Sequence, residues 1–265
     1  MKSPQNVLFM SSSYYECRRM FLQYLESLSG VYDNFLEDHI LDSNFYEIRI
    51  DGAMIGYFAI HKDVLLTQFY IQKRNCIYAQ SLFDKVIKEY SIETAYVPTC
   101  DELFLSLCIE NHKEIEIQAF IFEESGVDVR PPEFSKSNFR LVSEDRWAEV
   151  NEITRGFFEE INTDKVKKDG LLFEIYELSV RDEVLGYGLR EEVRVFTDYN
   201  ATGMYVMPEH REKGAGRSII IYLKNICAEN GKKPLPGCWY YNHNSKSTLE
   251  SSGFVSKTRL LKVSF

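Results

Sequence analysis

Arg211, Lys213, Gly214 and Gly216 stand together in the run Arg-Glu-Lys-Gly-Ala-Gly, directly after an apolar, β-prone stretch at 203–207. The chemistry this pattern offers is anion binding. Backbone N–H groups at the start of a helix have no intrahelical acceptor and hold phosphate oxygens well. Glycine lets the chain adopt unusual φ/ψ there and lets a ligand approach the backbone closely. Pro208 ends the preceding strand because it cannot donate to a sheet ladder. A helix follows at 216–229, with Ile219, Ile220, Leu223, Ile226 and Cys227 at helical spacing and Gly231 as its stop. Arg211, Lys213 and Arg217 place positive charge around that N-terminus, enough to neutralise a diphosphate. A glycine turn of this kind also occurs for geometry alone. Two familiar alternatives are absent. Gly216-Arg217-Ser218 lacks the lysine of a P-loop, and no G-x-G-x-x-G triplet marks a dinucleotide fold.

A second landmark lies downstream. Residues 235–241 read as a strand ending in Trp239, Tyr240 and Tyr241. Asn242-His243-Asn244-Ser245 reads as a turn and helix start, with Ser245 as the expected N-cap. A short helix ends at Gly253, and 254–265 forms a final strand or strand pair.

Arg211-x-x-Gly214-Ala215-Gly216, then Asn242-x-x-Ser245, then Gly253-Phe254, resembles the signature of the GCN5-related N-acetyltransferases (GNAT), and Val206-x-Pro208 fits its approach. The match covers roughly the last 70 residues and extends back to about Phe139. The resemblance implies acetyl-CoA, or a related acyl-CoA, as donor. Its pyrophosphate would lie on the backbone of Arg211, Glu212, Lys213, Gly214, Ala215, Gly216, Arg217 and Ser218. Its pantetheine arm would pair with Met204, Tyr205 and Val206, in a slot where two strands splay apart, and Asn242 would help hold that arm. An N–H near Val206 would stabilise the oxyanion as an amine attacks the thioester.

The chain departs from the family at Leu249, where many members carry a tyrosine that protonates the leaving thiolate. Ser245, at a position some relatives use, is the first replacement, with Tyr241 and His243 as alternatives. An attacking amine must also lose a proton. Where several relatives place a glutamate this chain has Asn200, so Asp198, two residues back, is the candidate base, or a water chain replaces it.

The first half carries a fainter version of the same order. It reads as a helix at 13–28, strands at 45–50, 54–60 and 65–71, a helix at 76–89, a strand at 94–97, a helix at 101–109 and a strand at 114–122. Ile55-Gly56-Tyr57 echoes Leu185-Gly186-Tyr187, and Phe69-Tyr70-Ile71 echoes Met204-Tyr205-Val206. After Ile71, however, Gln72-Lys73-Arg74-Asn75 offers no glycine for a diphosphate. The expected fold class is α/β with mixed sheets: two tandem GNAT-like domains, each a central sheet flanked by helices. Residues 1–126 form a degenerate, non-catalytic copy, 127–138 a stiff polar linker around Pro131-Pro132, and 139–265 the catalytic domain. That domain begins with a strand at 139–142 and a helix at 144–158. A charged loop at 164–170 and strands at 171–179, 184–190 and 201–207 follow.

Composition agrees with an enzyme of this size. The 265 residues are 45% hydrophobic, enough for two modest cores. A net charge of −9 argues against nucleic acid as partner and suits a cationic amine, small-molecule or peptide. No stretch is apolar enough to span a membrane, and 1–13 lacks the regions of a signal peptide, so cytoplasm is the expected location. The six cysteines have no zinc spacing and no metal is expected. Cys108 and Cys227 read as buried thiols, and Cys238 as core packing rather than an acyl carrier. A monomer or homodimer is expected. Two other functions remain open: transfer of a larger acyl or aminoacyl group, or a sensor that binds acyl-CoA without turnover.

Overall fold

The computed structural model describes residues 6–158 and 170–265. All but the last residue of the expected charged loop at 164–170 lies outside them. Contacts divide the chain into two units, Met1–Ala119 with Thr258–Phe265, and Phe120–Lys257.

The first unit runs β1 (Val7–Ser12), α1 (Tyr14–Ser27), α2 (Asn34–Leu41), β2 (Asn44–Ile50), β3 (Ala53–His61), β4 (Leu65–Ile71), a 3-10 turn at Lys73–Tyr78, α3 (Ala79–Glu89), β5 (Thr94–Pro98), α4 (Glu102–Asn111) and β6 (Glu114–Glu124). The second runs β7 (Phe139–Leu141), a 3-10 turn, α5 (Trp147–Thr154), β8 (Phe173–Val180), β9 (Glu183–Glu192), β10 (Tyr199–Val206), a 3-10 turn at Pro208–His210, α6 (Ala215–Glu229), β11 (Lys233–Trp239), α7 (His243–Ser251) and β12 (Phe254–Ser264). The order three antiparallel strands, 3-10 turn, helix, strand, helix, strand thus occurs in both.

Mixed pairing is built the same way in each unit. In the first, β2, β3 and β4 are antiparallel neighbours, β4 pairs β5 in parallel, and β5 pairs the end of β12. In the second, β7, β8, β9 and β10 are antiparallel neighbours and β10 pairs β11 in parallel. The contact units differ from the expected boundaries, 1–126 and 139–265, at two places, the first being that 120–138 fall in the second unit. Residues 258–265 belong with the first unit because Leu260 to Ser264 pair with Pro98 to Thr94 of β5. A strand's partner depends on register with a distant segment, which its own residues do not encode.

The elements follow from local chemistry. Ser13 and Glu16 form a reciprocal capping box at the start of α1. Arg155, in the left-handed region at φ 54°, stops α5 after Thr154, short of the expected 158. Two elements escaped the sequence reading. β1 is only half-buried and ends in serines, so it lacks a clear apolar alternation. α2 is short and starts from Asp33. Leu82, Phe83 and Val86 of α3 and Phe104 and Leu107 of α4 pack with Phe58, Leu66, Phe69 and Ile71 in the first core. In the second, Ile219, Ile220 and Leu223 of α6 pack with Leu178, Leu185 and Phe139. Trp147 and Val150 of α5 cover the opposite face against Ile175 and Tyr187.

Two helices of the first unit begin on buried carboxyls. Asp33 Oδ1 accepts from the Leu36 N–H at 3.2 Å and Asp101 Oδ1 from the Phe104 N–H at 3.1 Å. Burial raises the Asp33 pKa to about 6 and that of Asp101 to about 7. Because the folded values lie above those of the unfolded chain, their stabilising protonation is complete below about pH 4 and lost as pH rises through 6 and 7. Asp101→Asn keeps the cap acceptor without the charge. Its melting temperature relative to the parent should therefore rise between pH 4 and pH 8, by the equivalent of on the order of a few kcal/mol. A constant difference across that range would show that Asp101 ionises normally.

Candidate active site

The site of the second unit begins where two strands part. β10 and β11 pair in parallel from Tyr199↔Lys233 to Thr202↔Pro236 and no further. Beyond that point Gly203 to Val206 stay paired only with β9, through Val206↔Gly186. Pro234 and Pro236 lie within the paired stretch, and because the Lys233 N–H donates to Asp198 O, their nitrogens face away from β10. The gap between the strands is polar on its β10 edge. The Met207 N–H donates to Leu185 O at 3.0 Å on the β9 side. Backbone groups alternate along a strand, so the Val206 N–H one residue earlier points the other way, into the gap.

The two faces of this gap differ. Met204, Val206, Cys238 and Tyr240 pack on the α6 side with Ala215 and Ile219. Tyr205 packs on the α5 side with Trp147, Phe158 and Tyr187. Gly216 allows the tight α6 contact: a Cβ there would meet Met204 Sδ at 3.0 Å and Val206 Cγ2 at 3.2 Å. Its role is helix-on-strand packing, where close approach to a ligand was expected.

Gly214 is the N-cap of α6, with φ 85° and no side chain capping the helix. The first helical bond runs from the Ser218 N–H to Gly214 O at 3.0 Å. The N–H groups of Ala215, Gly216 and Arg217 precede it and have no acceptor within the helix. Exposed Arg211 and Lys213 flank them, with Arg211 Nε donating to Val206 O at 3.2 Å and Lys213 Nζ to Glu209 O at 2.8 Å. Glu212 sits at φ 60° in the bend. These groups fit a diphosphate on backbone donors with two cations beside them.

Arg217 and Ser218 differ from the sequence expectation. Arg217 is only 4% exposed, and its guanidinium turns inward. It donates to Ser251 O at 3.1 Å, Pro131 O at 2.9 Å, Glu133 Oε2 at 3.1 Å and Arg130 O. Ser218 Oγ accepts from the N–H groups of Glu133 and Phe134 at 3.1 and 3.3 Å, and the Tyr222 hydroxyl donates to Phe134 O. Both side chains therefore pin segment 130–134 to α6 and are turned away from a donor. Glu133 is the residue the sequence reading missed. A Cβ on Gly214 would meet its Cγ at 2.5 Å and its Oε2 at 2.8 Å, so its carboxylate stands against the turn. With 84 or more residues separating these partners, no local signal marks them.

The downstream landmark also shifts by three residues. Asn242, the expected pantetheine contact, is the N-cap of α7, and its Oδ1 accepts from the Ser245 N–H at 3.1 Å. Ser245 is therefore in the first turn, half-buried, not the cap. Tyr241 is 62% exposed beside Trp239, with ring centroids 5.1 Å apart. Leu249 is buried in the α6 core, so the residue at the family's tyrosine position does not reach the gap. Asp198 is exposed at the closed end of the strand pair, where its carbonyl accepts from the Lys233 N–H at 2.8 Å. Five residues separate it from Gly203, a rise of roughly 16 Å, so the fold does not bring it to the parting. Asn200 is buried at the same closed end. Cys227 is buried, its thiol pushed up to about 11, and Cys238 faces the core, as packing residues do. Among the described residues no group of three or more His, Cys, Asp or Glu is placed to hold a metal, and no helix is long and apolar enough to cross a membrane.

The first unit repeats the strand-end geometry. β4 and β5 pair only at Leu65↔Thr94 and Leu66↔Ala95, then part. Gln72 N–H donates to Ile55 O at 2.9 Å, as Met207 does to Leu185. Gly56 and Gly186 lie opposite Ile71 and Val206, and at each a Cβ would overlap the carbonyl oxygen of the tyrosine before that residue, Tyr70 or Tyr205. What differs is the turn. The 3-10 segment Lys73–Tyr78 runs straight into α3, and the Ala79 N–H already bonds Cys76 O. The side of this sheet facing α1 is filled by Tyr24, Tyr57 and Gln68, each at most 1% exposed, with the Tyr57 hydroxyl donating to Gln68 Oε1 at 3.0 Å.

These features coincide with known proteins. Residues 13–125 match the family model described as Acetyltransferase (GNAT) domain. The chain is similar along its length to a GNAT-family acetyltransferase from Colwellia psychrerythraea, at 14% identity, 98% of this chain and 99% of that one, with a TM-score of 0.83. A GCN5-related N-acetyltransferase from Sphaerobacter thermophilus follows at 12% identity, 98% and 96% coverage and TM-score 0.66. A tandem GNAT protein from the clavulanic acid biosynthesis pathway is similar at 13% identity, 97% coverage of both chains and TM-score 0.60. None of the curated proteins matches. Residues 13–125 thus match a GNAT domain model, and the chain as a whole has the GNAT fold. The family match falls on the first unit, whereas the glycine turn lies in the second.

The pinning of Arg217 separates stability from donor binding. Arg217→Ala leaves buried carbonyls and Glu133 without their donor and should cost roughly 3 kcal/mol of unfolding free energy, read from denaturant midpoints. The folded fraction should bind CoA with nearly parental affinity by calorimetry. Lys213→Ala should do the reverse, weakening CoA about tenfold with an unchanged midpoint. If Arg217→Ala abolished CoA binding in fully folded protein, its guanidinium would have to reach the diphosphate.

Proposed function

We propose that the second unit transfers an acetyl group from acetyl-CoA to an amine by direct attack. The observation that carries this reading is the parting of β10 and β11 with the Val206 N–H turned into it, next to a helix N-terminus whose first N–H groups have no helical partner. Backbone of Gly214, Ala215, Gly216 and Arg217, with Lys213 and Arg211 beside it, would hold the diphosphate. The edge of Met204, Tyr205 and Val206 would take the pantetheine arm as an added strand, with the Asn242 side-chain amide as a further polar contact.

In the reaction the amine nitrogen forms a bond to the thioester carbon while the Val206 N–H stabilises the developing oxyanion. The carbon–sulfur bond then breaks, and the thiolate takes a proton from Ser245, which water reprotonates. The ammonium loses its proton to water, since Asp198 stands at the far end of β10. The first unit serves as a non-catalytic partner domain. Support comes from its glycine-free turn, Gln72-Lys73-Arg74-Asn75, which continues as 3-10 structure into α3.

Anything that binds only the folded state stabilises it, so acetyl-CoA at about 100 times its Kd should add roughly 2.7 kcal/mol and raise Tm by several degrees. Thiol release on adding amines would then follow turnover, and Ser245→Ala should lower kcat about 10- to 100-fold with KM for acetyl-CoA unchanged. No Tm shift would remove the donor assignment. A shift without thiol release from any amine would favour an acyl-CoA sensor.

A further inference from the structure

Trp239 and Tyr241 are large aromatic residues left in the open, 58% and 62% exposed. Cys238 and Tyr240 pack toward α6, so by strand alternation Trp239 projects from the opposite face, the side that α5 covers on β8 to β10. Tyr241 lies against it edge-on, with an interplanar angle of 66°, which leaves ring surface uncovered. On the other strand of the gap, Tyr205 occupies the same face and meets Phe157, itself 50% exposed, at 5.2 Å between ring centroids. Aromatic rings therefore stand at both lips of the parting, on the face that α6 leaves free.

Resting on the transferase reading above, we infer that this face receives the acceptor and selects an amine carried on an aromatic body. With the donor held on the α6 side, an attacking amine approaches from here. The chemistry available is ring faces and edges, which hold a planar apolar group in stacked or edge-on contact. A linear polyamine would instead require carboxylates spaced along it. Among the described residues, Glu149 of α5 and Glu177 of β8 on this side are both bonded to Arg146, at 2.9 and 3.0 Å. Trp239 and Tyr241 are thus specificity-determining residues: they hold the aromatic body while its amine reaches the Val206 region.

The protein reports on this directly. Trp147 is buried, so acrylamide quenching of tryptophan emission reads mainly Trp239, and Trp239→Phe assigns that component. In the presence of CoA, phenethylamine should protect Trp239 from quenching, hexylamine less, and spermidine not at all. Trp239→Ala should raise KM for phenethylamine about five- to tenfold while KM for acetyl-CoA and the Tm shift with it stay parental. Protection by spermidine alone, by no amine, or by raised protein concentration without amine would overturn the inference, the last by assigning the rings to self-association. An unchanged KM in Trp239→Ala would do the same. Because the acetyl-CoA Tm shift is scored separately, loss of donor binding would sink the transferase reading, and loss of Trp239 protection alone would sink only this one.

Discussion

Everything proposed for the second unit depends on a ladder that stops early. Parallel strands normally consume each other's backbone donors and acceptors along their shared length. β10 and β11 do so only as far as Thr202 and Pro236. From there β10 keeps one neighbour, β9, and its other edge faces outward with Val206 N–H and O on it. Such an edge binds an extended polar chain and orients a donor toward a developing negative charge, both without moving. Tight packing through Gly216 holds α6 against Met204 and Val206 at that edge.

The charge around the glycine turn is arranged more economically than its composition suggests. Of three basic residues near it, Arg217 is a structural group, bonded to the segment that enters the second unit and to Glu133. Its burial resembles other interior ion pairs in that removal of one partner is costly while the intact pair adds little by itself. The diphosphate is left with backbone N–H groups, Lys213 and Arg211. Glu133 faces the same turn, so its carboxylate, held by Arg130 and Arg217, sets the negative boundary of the anion site.

The two units share one order of elements and differ at the turn. Both have a glycine opposite the last residue of the strand, under the carbonyl of the tyrosine before it, and a bond that leaves that last residue's N–H turned outward. The first unit runs into its helix through continuous 3-10 structure, where the second has Gly214 as N-cap. Its sequence is the half that matches a GNAT family model.

Much of this was legible beforehand. Strand and helix periodicity placed most elements within a few residues, and Gly214 followed by an amphipathic run marked the start of α6, because these are local consequences of residue type. The echo of Gly56 and Gly186 pointed to the repeated order for the same reason. The sequence by itself determined the class of fold, the turn, and the strand beside it. Tertiary structure alone decided the rest: that Arg217 is enclosed by a segment some 85 residues away, that Asn242 and not Ser245 begins α7, that Asp198 lies at the closed end, and that 258–265 pairs with β5. Each of these turns on which distant backbone groups meet, and pairing between segments far apart in the chain leaves no mark in either segment alone.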